Sequence, residues 1–306
     1  MKINHNKIIA SLAKLPCFDD IKKISLINSG VSSTSYKVIT KHNIYFAKYL
    51  AGKVNKVTEI EVTRAAATQG FSVDIIYNNN EWLVNHFISA IELATIKITN
   101  IEKYAIAMKL MAKCHQLSCV NFPVERLNVV KLTKQLLPSL NFSQQQKLYI
   151  LQICEQLSLN LHSNKTVLCH GDINFTNILV DKATINKTYL IDFECACLAP
   201  PEYDIAMLAA INCTDLSVIN PIISAYQLHN SVKINRDMVT RYLSFCYIIN
   251  GLWYAKQADM QSSLLLVKYA RKQFQLFDQY HNYTTNLHNL YLTTINQSRT
   301  SISLMR

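Results

Sequence analysis

Hydrophobic and polar residues follow two different periods along the chain. After a short helical pattern at 7–15, β-branched and aromatic runs are separated by turn-forming residues, which is typical of antiparallel strands. The predicted strands are 24–28, 35–40, 44–50, 73–77 and 81–88. Residues 55–69 have helical spacing and end before Gly70, as a helix followed by a glycine does. The first 88 residues are therefore predicted to form a small antiparallel sheet with few helices.

Beyond residue 88 the helical period dominates. Predicted helices lie at 100–117, 127–137, 143–163, 203–213, 237–257 and 262–280. Ser143 and Gln146 have the spacing of a capping box at the start of the third of these helices. Short apolar runs at 167–169, 178–180 and 188–192 predict small strands among the helices. This pattern predicts an α+β protein with domains at 1–88 and 89–284, followed by a flexible or loosely packed tail at 285–306.

Composition excludes several classes of protein. Half of the 306 residues are hydrophobic and 17% are charged, which excludes disordered and coiled-coil chains. The net charge of +11 would suit a polyanion, but Lys and Arg are spread along the chain without a nucleic-acid motif. We therefore expect no nucleic-acid partner, and an anionic small ligand such as a nucleotide suits the positive field equally well.

Location is predicted from what the chain lacks. No apolar stretch reaches the roughly 18–20 residues that a bilayer span requires, and the first residues build no signal-peptide core. The nine cysteines contain no Cys-x-x-Cys and are expected to be reduced thiols. These features predict a cytoplasmic protein without a membrane partner.

The most specific stretch runs from His170-Gly171-Asp172 through Asn177, and Asp192-Phe193-Glu194 follows it. It places Asp172, Asn177 and Asp192 at strand ends and in the tight loop between them. Magnesium takes few protein oxygens besides those of phosphates, so one Asp and one Asn suffice beside a bound triphosphate. Asp172 is then available as a base for phosphoryl transfer. The alternative is a surface loop of Asx turns with a core histidine.

This spacing resembles the catalytic and metal loops of the aminoglycoside phosphotransferase, choline kinase and thiamine kinase superfamily, relatives of the protein kinases. The resemblance implies a protein-kinase-like fold, with a small antiparallel β-sheet N-lobe and a larger, mainly helical C-lobe. It also implies ATP and Mg²⁺ as cofactors. By the same resemblance Asp172 is the catalytic base, His170 braces its loop, and Asn177 and Asp192 hold magnesium.

The first 88 residues contain the parts that a nucleotide-binding lobe needs: a phosphate loop, a lysine on the next strand and a helix carboxylate. Lys48 is the candidate lysine, and Glu59 is its expected partner, although Glu61 is an alternative. The segment with Asn85 and Phe87 resembles the lobe-joining segment, whose backbone would meet adenine. The predicted phosphate loop contributes Ser29, Gly30, Ser32 and Ser33.

Residues for the acceptor are suggested further along the chain. By resemblance Asp204 braces the catalytic loop, and Trp253 and Tyr254 lie on a substrate-pocket helix. Asp172, Glu194 and Glu202 are expected to make the acceptor side acidic. An acidic pocket with an aromatic neighbour favours a cationic alcohol.

The expected activity is that of a small-molecule kinase, acting as a monomer or homodimer on a small-molecule alcohol. Thiamine leads narrowly over choline, because aromatic residues that choline kinases often have are missing. An aminoglycoside phosphotransferase is the alternative within the class. A nucleotide-binding pseudokinase is the alternative outside it.

Overall fold

The structure is a computed structural model that describes residues 5–27, 34–50, 52, 55–118, 123–159, 161, 165–184, 187–213, 216–281 and 286–303. Its contacts divide the chain into two compact units. Unit 1 comprises Met1–Val124 and Phe175–Ala196, and unit 2 comprises Glu125–Asn174 and Cys197–Arg306. Neither unit ends at the predicted boundary of residue 88.

Unit 1 is built on a five-stranded antiparallel sheet in the order β1-β2-β3-β5-β4. The predicted strands and helices are confirmed here with shifts of a few residues at their ends. The elements are α1 (His5–Leu12), β1 (Ile21–Ile27), β2 (Ser35–Thr40), β3 (Ile44–Tyr49), α2 (Lys56–Thr68), β4 (Ile75–Asn78), β5 (Trp82–His86), β6 (Ala90–Glu92), α3 (Asn100–His115), β8 (Ile178–Asp181) and β9 (Thr188–Leu190).

The two faces of this sheet have different roles, because side chains alternate along each strand. On one face, alternate residues of the central strands pack with helix α1 into an apolar core. This core contains Ile8, Leu12, Tyr36, Val38, Tyr45, Ala47, Trp82 and Val84. The alternation places Lys48 on the opposite face, away from that core.

Backbone hydrogen bonds explain why residues after 88 belong to unit 1. Strand β6 pairs with β8, which pairs with β9, in a second antiparallel sheet. The Ala94 amide donates to the Phe175 carbonyl at 3.0 Å, and the Leu190 amide donates to the Phe71 carbonyl at 2.8 Å. Residues far apart in sequence therefore share one hydrogen-bonded unit, which the change in hydrophobic period does not reveal.

Unit 2 is mainly helical, with one short antiparallel strand pair. A Cβ added at Gly251 would lie 2.6 Å from the Phe274 ring, so this glycine permits the close packing of two helices of the unit. The capping box of Ser143 and Gln146 is confirmed. The elements are α4 (Val129–Leu136), α5 (Gln144–Ser158), β7 (Val167–Cys169), β10 (Cys197–Ala199), α6 (Pro201–Ile211), α7 (Ile219–Gln227), α8 (Arg236–Gln261), α9 (Leu264–Tyr280) and α10 (Leu287–Ser303).

The structure describes helix α10 (Leu287–Ser303) within the segment 285–306, for which the sequence predicts a flexible or loosely packed tail. Helix α10 buries Leu287, Leu290 and Tyr291, which lie on one helical face. The Asp278 carboxylate accepts hydrogen bonds from the Leu287 and His288 amides at 2.9 and 2.8 Å, which caps the start of the helix. Three apolar residues at the right spacing suffice for docking, although Ser, Thr and Asn dominate the composition.

Among the helices that the structure describes, none combines the length and the apolar character needed to cross a membrane.

Candidate active site

Three carboxylates of unit 1 contact the Lys48 ammonium. We call these four side chains the Lys48 cluster: Lys48, Glu59, Asp192 and Glu194. The Lys48 Nζ atom lies 2.5 Å from Glu59 Oε1, 2.6 Å from Asp192 Oδ1 and 3.1 Å from Glu194 Oε2. Lys48 and Glu59 are almost fully buried, with 4% and 2% of their surfaces exposed. The predicted ion pair of Lys48 is therefore with Glu59.

The alternative partner, Glu61, points elsewhere. Its carboxylate lies 2.7 Å from the Arg64 guanidinium, within the same helix, and both side chains are partly exposed. An exposed pair of this kind contributes little to stability. The sequence left open whether Glu59 or Glu61 pairs with Lys48. Glu59 lies on the side of helix α2 that faces the sheet, and it therefore forms the pair.

The Lys48 cluster carries more negative than positive charge, since three carboxylates surround one ammonium group. Burial would lower the pKa of Lys48, but the charges of Asp192, Glu59 and Glu194 outweigh it and raise that pKa. Burial also raises the pKa of Glu59, an effect that the neighbouring Lys48 opposes. Among the described residues, the second carboxylate oxygen of Glu59 has no hydrogen-bond partner. The ammonium is therefore held in its charged form by an acidic surrounding.

The backbone around Asp192 is strained. Asp192 has a φ of 69° and begins the short turn that contains Phe193 and Glu194. A left-handed conformation is uncommon for a residue other than glycine, and such strain is concentrated at functional sites. The Ile191 amide donates to the Asn177 carbonyl at 3.0 Å, so Asn177 lies beside the strand end that leads into this turn.

The donors of this region fit a hard divalent cation. Oxygen atoms of Glu59, Asp192 and Glu194 lie within 4.8 Å of one another. The Asp192 and Glu194 side chains remain 25% and 18% exposed, so both carboxylates are accessible. Magnesium prefers oxygen ligands of this kind together with phosphate oxygens and water. The uncompensated negative charge would be neutralised by such an ion.

In unit 2, Asp204 holds the loop that carries Asp172, and we call Asp204 with the amides of His170 and Gly171 the Asp204 cradle. The His170 and Gly171 amides donate to the two Asp204 oxygens at 2.7 and 2.9 Å. Asp204 and His170 are fully buried, and Gly171 has a φ of 80°. A buried carboxylate that accepts two amides fixes a loop tightly.

Side-chain contacts then orient Asp172 itself. The Asp172 amide donates to His170 Nδ1 at 3.2 Å, so this nitrogen acts as an acceptor. The Asn174 side-chain amide donates to the Asp172 carbonyl at 3.1 Å. Asp172 is only partly buried. Hydrogen bonds thus fix the backbone of the Asp172 loop, while Asp172 stays partly exposed. A proton acceptor needs this access to its substrate.

Aromatic side chains of unit 2 are grouped near Asp172. The Trp253 and Tyr254 ring centroids lie 5.3 Å apart, and those of Tyr254 and Tyr269 lie 5.4 Å apart. Burial, and to a lesser extent the charge of Asp172, raises the pKa of Tyr254 to about 12. The three rings therefore form one aromatic group, and its central member, Tyr254, feels the charge of Asp172.

Several predicted site residues have other roles or are not described. Ser29, Gly30, Ser32 and Ser33 lie outside the described residues. The buried Asn85 side chain donates to the Val73 and Asp74 carbonyls at 3.2 and 3.0 Å. The Phe87 amide donates to the Ile44 carbonyl at 2.9 Å. The Asn85 side-chain amide and the Phe87 backbone amide are thus used within the sheet, and the contact of this segment's backbone with adenine stays a prediction.

Glu194 and Glu202, two acids expected on the acceptor side, have contacts of their own. Glu194 contacts Lys48 in unit 1, because the turn after Asp192 directs its carboxylate there. Glu202 is buried and accepts a hydrogen bond from the Asn235 amide at 2.9 Å, next to the first residue of helix α8.

Sequence reasoning missed Asn174 and Tyr269. Asn174 lies two residues beyond Asp172 and could have been found from the tendency of Asn to bond to the backbone two residues away. Tyr269 is separated from Tyr254 by fifteen positions, on the next helix, and no sequence signal pairs them.

Comparisons with known proteins identify the family and the fold of the chain. Residues 23–233 match the model of the phosphotransferase enzyme family. No curated protein matches the chain. Among solved structures, a choline/ethanolamine kinase family protein from Mesorhizobium loti is similar, with a TM-score of 0.67 and 18% identity, covering 96% of this chain and 99% of that chain.

Two further solved structures share the fold. Choline kinase LicA from Streptococcus pneumoniae has a TM-score of 0.71 and 15% identity, covering 90% of this chain and 99% of that chain. A spectinomycin phosphotransferase, in complex with ADP and spectinomycin, has a TM-score of 0.60 and 17% identity, covering 94% of this chain and 98% of that chain. At this level of identity the similarity establishes a kinase-like α+β fold.

Proposed function

Since the chain belongs to the phosphotransferase enzyme family, we propose that it transfers the γ-phosphoryl group of ATP to a hydroxyl group of a small cationic alcohol. The Lys48 cluster carries this proposal, because it holds a buried lysine and accessible carboxylates in one place. Phosphoryl transfer needs a cation at the phosphates, oxygen ligands for magnesium and a base for the acceptor.

In unit 1, Lys48 would bind phosphate oxygens, and Glu59 would keep its ammonium in position. Asn177 and Asp192 would hold magnesium, which neutralises charge on the phosphates when it is bound. Lys48 now contacts Asp192 and Glu194 as well as Glu59. Phosphate oxygens would replace part of these contacts, since they offer the ammonium the same kind of acceptor.

In unit 2, Asp172 would accept the proton of the acceptor hydroxyl. The hydroxyl oxygen forms a bond to the γ-phosphorus, the bond from this phosphorus to the bridging oxygen breaks, and ADP leaves with the electron pair. The Asp204 cradle fixes the loop of Asp172 through backbone amides, so the base is held in place before the acceptor arrives.

The acceptor is proposed to be a cation of the thiamine or choline kind. Trp253, Tyr254 and Tyr269 present rings near the Asp172 charge, and a cation is attracted both to a carboxylate and to an aromatic face. A neutral sugar carries no charge for these groups to attract and would use hydrogen bonds instead. We propose that the enzyme works in the cytoplasm as a monomer or homodimer.

The decisive experiment measures acceptor-dependent ADP formation from ATP and magnesium. The acceptors are thiamine, choline, ethanolamine, methylthioribose, kanamycin and spectinomycin. We expect turnover with thiamine or choline. Turnover with kanamycin or spectinomycin alone would refute the cationic-metabolite proposal and indicate an antibiotic kinase. Nucleotide binding without turnover on any acceptor would indicate a pseudokinase.

The variant Asp172→Ala tests the role of the base. We expect turnover to fall at least about 1000-fold while the Kd for ADP changes less than twofold, because a base acts in the transition state. Asp237→Asn, an exposed acid in the first turn of helix α8, is the control that should keep full activity. An equal loss of ADP binding in Asp172→Ala would contradict the assignment.

A further inference from the structure

Two cysteines of unit 2 lie directly opposite each other in its short strand pair. Strand β7 pairs antiparallel with β10, in a register that places Cys169 opposite Cys197. Directly opposite residues of paired strands point to the same face of the sheet, with Cβ atoms about 4.5–5.5 Å apart. The fold therefore makes neighbours of two thiols that are far apart in sequence, and the structure holds both in the reduced form.

Hydrogen bonds on the other side of β10 determine the geometry of this pair. The Leu198 amide donates to the Glu125 carbonyl at 2.8 Å, and the Leu198 carbonyl accepts from the Leu127 amide at 2.9 Å. The backbone polar groups of successive strand residues point to alternate sides, so those of Cys197 point to β7. Opposite residues of this hydrogen-bonded kind have Cα atoms about 5.5 Å apart, and disulfide-linked residues have Cα atoms about 4.4–6.8 Å apart. The backbone therefore already satisfies the Cα distance that a disulfide needs.

The Cβ atoms of such a pair are slightly too far apart for a relaxed disulfide. A disulfide needs Cβ atoms about 3.5–4.5 Å apart, and hydrogen-bonded pairs lie near the upper end of about 4.5–5.5 Å. Bond formation would thus draw β7 and β10 together by about 1 Å. The Cys169 thiol would also leave the Pro200 carbonyl, to which it donates at 3.5 Å. A disulfide strained in this way is readily reduced again.

The strand end that would move leads directly into the loop of Asp172. His170 and Gly171 follow Cys169, and their amides donate to the two Asp204 oxygens at 2.7 and 2.9 Å. Helix α6, which carries Asp204, begins two residues after the end of β10. The two strands are therefore connected to the two sides of the Asp204 cradle. A displacement of about 1 Å near a reacting group lowers a rate about 100-fold.

We propose that Cys169 and Cys197 are an oxidation site, at which a peroxide forms a disulfide that displaces Asp172 and reversibly stops phosphoryl transfer. The effect on activity rests on the proposed function, whereas the disulfide itself does not. Cys197 is partly exposed and Cys169 is buried, so Cys197 reacts first.

The oxidation proceeds in two steps and consumes one molecule of hydrogen peroxide. The Cys197 sulfur takes one peroxide oxygen, which forms a sulfenic acid and releases water. The Cys169 sulfur then attacks the Cys197 sulfur, the S–O bond breaks, and a second water leaves with the Cys169 proton. The two thiols lose two electrons in total, and these electrons reduce the peroxide to water.

Both thiols are protected while no oxidant is present. Desolvation and the charge of Asp204 raise the pKa of Cys197, so this thiol is protonated at neutral pH. The thiolate is the reactive form, so we expect oxidation to be slow and to require sustained exposure to peroxide. Cys246 on helix α8 is the competing partner, since burial and the charges of Asp204 and Cys197 raise its pKa. It is buried and does not lie on the opposite strand.

The test treats the full chain with hydrogen peroxide, alkylates the remaining thiols and maps unreduced peptides by mass spectrometry. We expect a Cys169–Cys197 cross-link, a fall in kcat of about 100-fold, and recovery of kcat with dithiothreitol. The affinity for ADP should stay unchanged, because ADP is proposed to bind in unit 1. Cys197→Ser should retain its kcat in peroxide. Cys213→Ser, which removes an exposed thiol, is the control and should remain as sensitive as the wild type.

Three outcomes would overturn the oxidation site. A map without the Cys169–Cys197 cross-link, or with Cys197 linked to Cys246, would refute the pair. A cross-link that leaves kcat unchanged would refute its effect on Asp172. Inactivation of Cys197→Ser at the wild-type rate would place the sensitive thiol elsewhere.

The peptide map separates this inference from the proposed function. It uses the wild-type protein and reads mass alone, so it depends neither on a variant that folds nor on an acceptor. A protein that forms the cross-link but phosphorylates no acceptor would refute the proposed function and support the thiol pair. An active kinase that forms no cross-link would refute only the pair.

Discussion

The Lys48 cluster and the Asp204 cradle hold functional groups by different means. In the cluster, Lys48 on β3 directly contacts three carboxylates, one from α2 and two from the turn after β9. In the cradle, one buried carboxylate accepts hydrogen bonds from two backbone amides. The cluster depends on the charge of every member, whereas the cradle depends on two acceptor oxygens in one place.

This difference suits the Lys48 cluster to binding ligands and the Asp204 cradle to positioning Asp172. A surplus of negative charge around Lys48 favours cations such as magnesium, so this cluster should respond to ligands. In the cradle, both oxygens of Asp204 already accept hydrogen bonds from backbone amides, so ligands should change it little. Its contribution should be to the stability of the protein and to the accurate placement of Asp172. Substitutions that keep size but change charge can test this contrast.

The largest effect is expected for Asp192→Asn in the cluster. The variant removes a carboxylate from Lys48 and a proposed magnesium ligand, so turnover should fall about 1000-fold or more. ATP should raise the melting temperature of the wild type far more with magnesium than with EDTA, and the variant should lose that difference. Asp19→Asn, an exposed acid before β1, is the control. An equal shift with and without magnesium in the wild type would argue against the metal site.

Next in size is Glu59→Gln, which keeps the shape of the side chain but leaves Lys48 without its most buried partner. We expect kcat/KM for ATP to fall about 100-fold, because the lysine is then held only by Asp192 and Glu194. Glu61→Gln, two residues away on the same helix, should change it less than twofold, since Glu61 pairs with Arg64. Similar losses in both variants would show that the helix as a whole, and not this ion pair, is required.

A smaller effect on turnover is expected for Asp204→Asn in the cradle. The amide group can face only one of the two backbone N–H groups with an acceptor, so one buried donor loses its partner. We expect the free energy of unfolding to fall by about 2 kcal/mol and kcat to fall about 30-fold. The magnesium-dependent shift with ATP should persist, unlike that of Asp192→Asn. Its loss would mean that the two regions do not act separately.

The smallest effect is expected at the acceptor side. Trp253→Ala should raise the KM for the cationic acceptor about tenfold and change the KM for ATP less than twofold. Trp253→Phe, which retains an aromatic face, should raise it less than threefold. Circular dichroism must show both variants folded. An unchanged acceptor KM in a folded Trp253→Ala protein would remove this ring from the acceptor site.

Much of the fold was predictable because it is local. The β-branched and aromatic runs before residue 88 predicted the strands of the five-stranded sheet, and the capping box at Ser143 predicted the start of helix α5. The extent of unit 1 was not predictable, because pairing of β6 with β8 joins segments about ninety residues apart. Helix α10 was missed since a polar composition concealed its three buried apolar side chains.

For the candidate site, the spacing of His170, Asp172, Asn177 and Asp192 and the family resemblance it carries predicted the phosphotransferase class, which the family match confirms, and the roles of these residues stay predictions. Their partners required tertiary contacts. Glu59 and Glu61 differ by roughly 200° around helix α2, and only packing on the sheet determines which of them meets Lys48. The turn that begins at Asp192 likewise brings Glu194 to Lys48, 146 residues earlier in the chain.

The sequence by itself therefore determined the local periods, the helix caps and the types of functional group, because these depend on residues within about one helical turn of each other. Tertiary structure alone decided which carboxylate neutralises Lys48 and which amides Asp204 accepts. It also decided which rings pack against Tyr254. Such choices depend on burial and on distances between residues far apart in sequence, and the energies of charges and hydrogen bonds depend on both.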